Sequence, residues 1–331
     1  MISRSPHGLA VATVLIWSFG AASAKLISSH SGFSLFALSM LVTYVAFQVS
    51  HRIGSGTWIS ISPRELFSKL GFASLFGYGV YWLCYAQSFR SSNETVLPAT
   101  LNYTWPLFTT LFTEAFFRTR RTSPLNRLVS IVGLLIGLLG VLIVISKGNV
   151  QSLGDVPWST VAWGIGAGAS YGFFGAFSSS VPSGKQLYFL TLASLSGFLF
   201  LAPLATYEIL HAPLPSFQIV LVTIALSLLM EGLGYYTWTR ANRLAQVQQL
   251  NPAAIASIMY VLPFLSALII SVLYSDASGL TLSLAVGLVL IVLSSALCQH
   301  ADFLSARLMG AKTSVPAAKT TTDKLFDSLK N

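Results

Sequence analysis

Asn102-Tyr103-Thr104-Trp105-Pro106 places an amide, a phenol, an indole and a helix-bending imino acid inside the long apolar run 96–117. At about 1.5 Å per residue, that run is long enough to cross the ~30 Å hydrocarbon core of a bilayer. Polar atoms at such depth cost several kcal/mol unless they meet partners or line a cavity, so Asn102 is expected to face protein, water or ligand rather than lipid. Pro106 removes one backbone N–H from the helix ladder, which predicts a kink and a freed carbonyl at Asn102. Together the five residues read as a binding wall; taken singly, each also fits ordinary packing in a membrane helix.

Outward from this stretch the chain keeps the same character. Of 331 residues, 54% are hydrophobic and 9% charged, against about a quarter charged in soluble domains. Long apolar runs alternate with short polar clusters that hold most of the Lys and Arg, the pattern of an all-α integral membrane protein. The net charge of +9 then reflects topology, and no contiguous basic face with interleaved aromatics points to nucleic acid. Cys84 and Cys298 both fall in apolar runs, so no disulfide framework and no metal site is implied. Residues 1–7 are too short to form a cleaved signal before a full-length span, so the first helix is expected to remain as an anchor.

Ten spans are predicted, at 8–27, 33–50, 66–89, 96–117, 125–145, 156–179, 186–207, 217–239, 248–273 and 280–297. Orientation follows from Lys and Arg: sixteen fall on one side, in clusters such as Arg118, Arg120, Arg121 and Arg127, and only Lys25, Arg90 and Lys147 on the other. That bias predicts cytoplasmic termini and an even number of spans. An internal echo accompanies it. Tyr81-Trp82-Leu83-Cys84-Tyr85-Ala86 precedes Pro106 and a span punctuated by Gly133, Gly137 and Gly140; Tyr236-Thr237-Trp238-Thr239-Arg240-Ala241 precedes Pro263 and a span containing Gly287. Two units of five helices, an odd number, must lie in opposite topology: 8–146 and 156–299, followed by a cytoplasmic tail, 301–331. Such inverted repeats place substrate near the midplane around a central cavity and support alternating access.

Several polar and aromatic residues lie within the spans. Tyr78, Tyr81, Trp82 and Tyr85 share one helical stripe, and Glu231, Tyr235 and Trp238 repeat the spacing. Tyr85 and Trp238, near span ends, read first as interfacial-belt aromatics. Glu231 lies deeper, where a carboxylate is a functional candidate as proton carrier or counter-charge to a substrate ammonium; the alternative is a structural pairing. By the repeat, Trp17 corresponds to Tyr171. Trp17 and Lys25 share one face of the first span, and Trp163 and Tyr171 lie in the sixth. Glu114 is expected to pair with Arg118 one turn on. Gln246, Gln248, Gln249, Asn251 and Pro252 form a polar entrance to the ninth span that either guides a zwitterion or caps a helix. Gly71, Gly77, Gly79, Gly232 and Gly234 are expected to let helices approach closely. No nucleophile elbow, zinc spacing or phosphate-cradling loop is present, which points away from an enzyme, and no filter motif or charge ring suggests a channel.

With Trp17-Ser18, the tyrosine-rich segment before Ala86, the segment Tyr235 to Ala241 and Pro263, the chain resembles the drug/metabolite transporter superfamily, specifically its ten-helix EamA-type exporters. Leu101 to Leu107 is similar to the fourth-helix motif of the YddG-type aromatic amino acid exporters. The resemblance implies export of aromatic or other hydrophobic amino acids across a bacterial inner membrane, without a cofactor. Its expected substrate-binding residues are Trp17, Tyr78, Trp82, Asn102, Trp105, Trp163, Tyr171, Glu231, Tyr235 and Tyr260, with helix kinks at Pro106 and Pro263. The expected partners are a small amphipathic molecule and the lipid bilayer. Export of other amino acids or drugs, and a non-transporting scaffold or sensor, stay open as alternatives; so do the coupling ion and whether the chain is a monomer or a homo-oligomer.

Overall fold

The computed structural model describes residues 5–20, 32–92, 98, 101–116, 123–146, 157–273 and 282–308. Every regular element among these residues is helical: α1 (Pro6–Trp17), α2 (Gly32–Ser55), α3 (Pro63–Leu66), α4 (Lys69–Leu75), α5 (Tyr81–Arg90), α6 (Trp105–Phe116), α7 (Pro124–Ile145), α8 (Trp158–Ser180), α9 (Gln186–His211), α10 (Phe217–Leu226), α11 (Tyr235–Val247), α12 (Pro252–Ala256), α13 (Leu262–Leu273), α14 (Leu282–Gln299) and α15 (Ala301–Leu308). A π-helical turn, Phe76–Val80, joins α4 to α5, and a second, Ser227–Gly234, joins α10 to α11. Lys25, Glu94, Arg118, Lys147, Asp155 and Asp276 lie outside the described residues.

Four stretches are long and apolar enough to cross a membrane: Gly32–Ser55, Pro124–Ile143, Gln186–His211 and Phe217–Val247. Their outward faces carry exposed aliphatic side chains, among them Val45, Leu135, Leu199 and Leu221. A helix apolar all round requires a core or lipid on every side, so this is a membrane protein. Several helices outrun the predicted spans. The sequence reading stops a span at the first charges, whereas α11 continues through Arg240 and a buried Arg243 to Val247. Arg243 has carbonyl company there, its Nη1 donating to the Ser179 carbonyl at 3.4 Å.

Local chemistry sets the starts. Ser5, Ser68, Ser216 and Asn251 each cap a helix by accepting a backbone N–H, which satisfies donors the first turn leaves open. Within the polar entrance Asn251 is therefore a cap, and its Nδ2 also donates to Ser130 Oγ and the Cys298 carbonyl at 3.0 and 3.1 Å. Pro106 differs from expectation. The chain leaves the helix at Tyr103–Thr104 and restarts at Trp105, so Pro106 occupies the first turn of α6, where its missing N–H has no intrahelical role. Pro263 is likewise the second residue of α13, just after the 3-10 turn Ser257–Val261. Glu114 pairs with Arg127 of α7, Nε to Oε2 3.5 Å; the pairing expected with Arg118 falls outside the described residues. At one end of the bundle Arg90 bonds Glu208 and sits 4.0 Å over the Phe33 ring, while Glu208 accepts from the Ser34 N–H at 2.9 Å, tying α2, α5 and α9 together.

Glycine permits the closest helix contacts. A Cβ on Gly164, Gly168 or Gly172 of α8 would fall 2.5 Å from Leu101, 2.2 Å from Thr104 or 2.4 Å from Phe108. The 101–108 segment therefore lies directly on the α8 backbone. Gly133, Gly137 and Gly140 seat α7 against α14 and Tyr260 in the same way. Of the five glycines singled out from sequence, Gly71, Gly77, Gly79 and Gly234 do sit under close neighbours, whereas Gly232 has only a carbonyl at 3.6 Å.

Gly172→Ala should lower the thermal midpoint in detergent, because its Cβ meets Phe108. Gly166→Ala, whose Cβ would find only Cys84 Sγ at 3.5 Å, should hold or raise it, since alanine gains ~1 kcal/mol of helix propensity. Equal midpoints for the two variants would contradict this packing.

Candidate functional site

A cavity of about 100 Å³ opens where α1, α2, α5, the 101–105 break, α8 and the α10–α11 helix converge, roomy enough for several waters or part of a small ligand. Its walls are mainly rings. Trp17, at the end of α1, is the hub: its indole meets the rings of Trp105, Tyr171 and Tyr235 edge-on at centroid distances of 6.1, 5.8 and 5.6 Å. Trp17 Nε1 donates to the Met230 carbonyl at 2.8 Å, which fixes the ring against the second π turn. Each edge-to-face pair adds ~0.5–1.5 kcal/mol beyond burial, so the ring positions are strongly determined. Across the cavity Trp82 stacks on Phe36 at 4.5 Å and Tyr81 on Tyr85 at 5.6 Å.

The polar part centres on Glu231, a buried carboxylate on the second π turn. Ser39 Oγ of α2 donates to Glu231 Oε2, and Ser39 and Ser227 hydroxyls lie 2.6 Å apart. Ser227 Oγ is also 2.5 Å from the Thr223 carbonyl. Each hydroxyl has one proton, so with Ser39 committed to Glu231, Ser227 serves either Ser39 or Thr223. Among the described residues no Lys, Arg or His lines the cavity, and no cation pairs with Glu231.

The two π turns are clasped to each other. Tyr78, in the first, donates its hydroxyl to the Glu231 carbonyl at 3.1 Å; Tyr235, just after the second, donates to the Gly77 carbonyl at 3.2 Å. Their rings lie 4.4 Å apart. A π turn loosens the regular ladder and offers carbonyls to outside donors, and such turns concentrate at functional sites. Here those carbonyls hold the carboxylate-bearing turn in place.

Three buried polar atoms of residues that line the cavity have no hydrogen-bond partner among the described residues: Asn102 Oδ1, Trp82 Nε1 and Tyr171 Oη. Asn102 Nδ2 has only a long contact, 3.4 Å to Tyr81 Oη. Unmet buried groups are uncommon and costly, and a water or ligand in the cavity is the means of meeting them.

Of the sequence-derived site residues, Trp17, Trp82, Asn102, Trp105, Tyr171, Glu231 and Tyr235 line this one cavity. Tyr78, Trp163 and Tyr260 do not. Tyr78 is fully buried behind the wall, committed to Glu231 and Tyr235. Trp163 of α8 is 38% exposed, two turns from Tyr171. Tyr260 packs over Gly137 of α7. Trp238 and Tyr85 correct the belt reading: Trp238 is fully buried with its ring 5.0 Å from Trp105, and Tyr85 lines the cavity. The sequence reading missed Ser39, Ser227, Phe36 and Met230. An isolated serine or methionine in an apolar span gives no signal, because most membrane serines bond their own helix.

No family model matches the chain, and no curated protein matches it. Fourteen chains of solved structures do. One, described only as the crystal structure of a protein, is 21% identical with a TM-score of 0.69, over 91% of this chain and the whole of that one. At that identity the likeness is one of fold.

Tyr78→Phe and Tyr235→Phe should each destabilise the protein by ~0.6 kcal/mol, with ~1.7 as an upper bound for a hydrogen bond in a membrane helix bundle. Because both hydroxyls hold the same pair of turns, a double-mutant cycle in chemical denaturation should show coupling; strict additivity would contradict the clasp.

Proposed function

We propose that this chain is a carrier that moves small, aromatic, amino-bearing metabolites across a membrane through the Trp17–Glu231 cavity. The observation that carries the reading is the cavity itself: a buried carboxylate ringed by indoles and phenols, with three unmet polar atoms, inside a bundle of apolar helices. Rings accept an aromatic body by stacking and hold an ammonium by cation–π attraction, while Glu231 accepts its hydrogen bonds. An intramembrane carboxylate of this kind belongs to substrate or ion pathways far more often than to structure. A pure scaffold would have no use for unmet atoms around a cavity.

The architecture that goes with this function is ten spans in two inverted five-helix repeats, 8–146 and 156–299, with a cytoplasmic tail at 301–331. Three pairings support it. Trp17 and Tyr171, at corresponding positions of the two halves, meet at 5.8 Å on the cavity wall. Each half has a π turn carrying or followed by a tyrosine that donates to the other. Each has a proline in the first turn of an α-helix, after the Tyr103–Thr104 break in one half and after the 3-10 turn Ser257–Val261 in the other. In this reading the protein is an exporter similar to the EamA-type drug/metabolite transporters, with aromatic amino acids among the cargo class. It sits in a bacterial inner membrane with both termini cytoplasmic, carries no cofactor and catalyses no reaction. Alternating access would proceed by rocking of one repeat on the other.

Counterflow in proteoliposomes tests it, with labelled tryptophan and labelled tryptamine run in parallel at matched pH. At least one label should exchange in the parent and fall to background in Asn102→Ala, a variant that gives up one described bond of 3.4 Å and whose folding is checked by its thermal midpoint. Exchange of non-aromatic metabolites alone would sink the cargo class, and no exchange of any solute would sink the carrier.

A further inference from the structure

Among its described lining residues the cavity has one carboxyl group, that of Glu231, and no Lys, Arg or His. Glu231 is held by Ser39, which leaves it an acceptor for a ligand donor. The rings of Trp17, Trp82 and Tyr235 line the same cavity, and ring faces favour cations. Among the lining residues, the unmet atoms Asn102 Oδ1, Trp82 Nε1 and Tyr171 Oη are all neutral. They comprise a donor, an acceptor and a group able to act as either, which is the complement of a hydroxyl rather than of a carboxylate.

An aromatic amino acid carries its carboxylate on the same carbon as its ammonium. Seating the ammonium on Glu231 therefore brings the substrate carboxylate beside the protein's own, in an apolar wall where like charges repel strongly and no described cation offsets them. The decarboxylated counterpart has no such penalty. We propose, resting on the carrier reading above, that the cavity selects hydroxylated aromatic monoamines of net charge +1 over the zwitterionic aromatic amino acids. The ammonium binds at Glu231, and the ring hydroxyl reaches the Asn102, Trp82 and Tyr171 set. Glu231 is the specificity-determining residue: it ranks ligands by charge, and the unmet neutral atoms rank them by the presence of a hydroxyl.

Four ligands with one scaffold separate these terms: tyramine, tyrosine, 3-(4-hydroxyphenyl)propionate and phenethylamine. Their affinities are measured by calorimetry on the full chain in lipid nanodiscs at pH 7. Tyramine should bind about tenfold or more tighter than tyrosine and several-fold tighter than phenethylamine, with no binding of the propionate. Glu231→Gln should close the gap between tyramine and tyrosine to within about threefold. The four-ligand comparison on the parent protein decides the matter by itself if that variant does not fold. A parent that binds tyrosine as tightly as tyramine, or tighter, overturns the charge selection and leaves the aromatic cavity standing. Binding of none of the four overturns both.

Discussion

In an apolar surround each polar atom must find a partner within reach, and the placement of Glu231 follows from that obligation. A carboxylate at the centre of a helix bundle is met by Ser39 from α2 and lies on a turn whose carbonyls are met by Trp17 and Tyr78. The turn is π-helical, so its backbone has carbonyls to offer. The tyrosine and tryptophan that accept this offer belong to elements far away in sequence, and in reaching it they bring α1 and the α4–α5 helix against the α10–α11 helix. The cavity is what remains between the rings that do this bridging. Its position is thus a by-product of hydrogen-bond satisfaction, and its chemistry follows from which groups are left over.

Much of this was legible in the sequence for a physical reason: the bilayer makes polarity expensive, so polar residues inside apolar runs stand out. Asn102, Glu231 and the Tyr78–Tyr85 stripe were visible on that ground, and seven of the residues drawn from sequence share the cavity. The failures are equally physical. Trp163 and Tyr171 look alike in a sequence and, eight residues apart, fall on about the same face of α8, yet Trp163 is exposed and Tyr171 is buried. Tyr78 was read as a wall residue because its helical stripe is right; a buried hydroxyl committed to a distant carbonyl cannot be read from spacing. Trp238 was assigned to an interface because it lies near the predicted end of a span, and the helix in fact runs on to Val247.

Pro106 shows how a local rule and its outcome can differ without contradiction. A proline deep in an apolar run predicts a kink, and the helix is interrupted just before it. One helical segment ends at Asn102 and another begins at Trp105, which leaves Tyr103 and Thr104 in the break between them. Close seating of that break depends on α8, where Gly164, Gly168 and Gly172 leave no side chain in the way. Breaks of this kind are tolerated at membrane depth only where they are buried in protein or line a cavity. The 101–105 segment does both.

The most direct test of the central claim, that this cavity is the ligand site, is a structure of the protein in nanodiscs with tryptamine at saturating concentration. The account predicts density between Trp17, Trp82 and Trp105, with the amine within hydrogen-bond distance of Glu231. Density at another site, with the Trp17–Glu231 cavity holding only water, would contradict it.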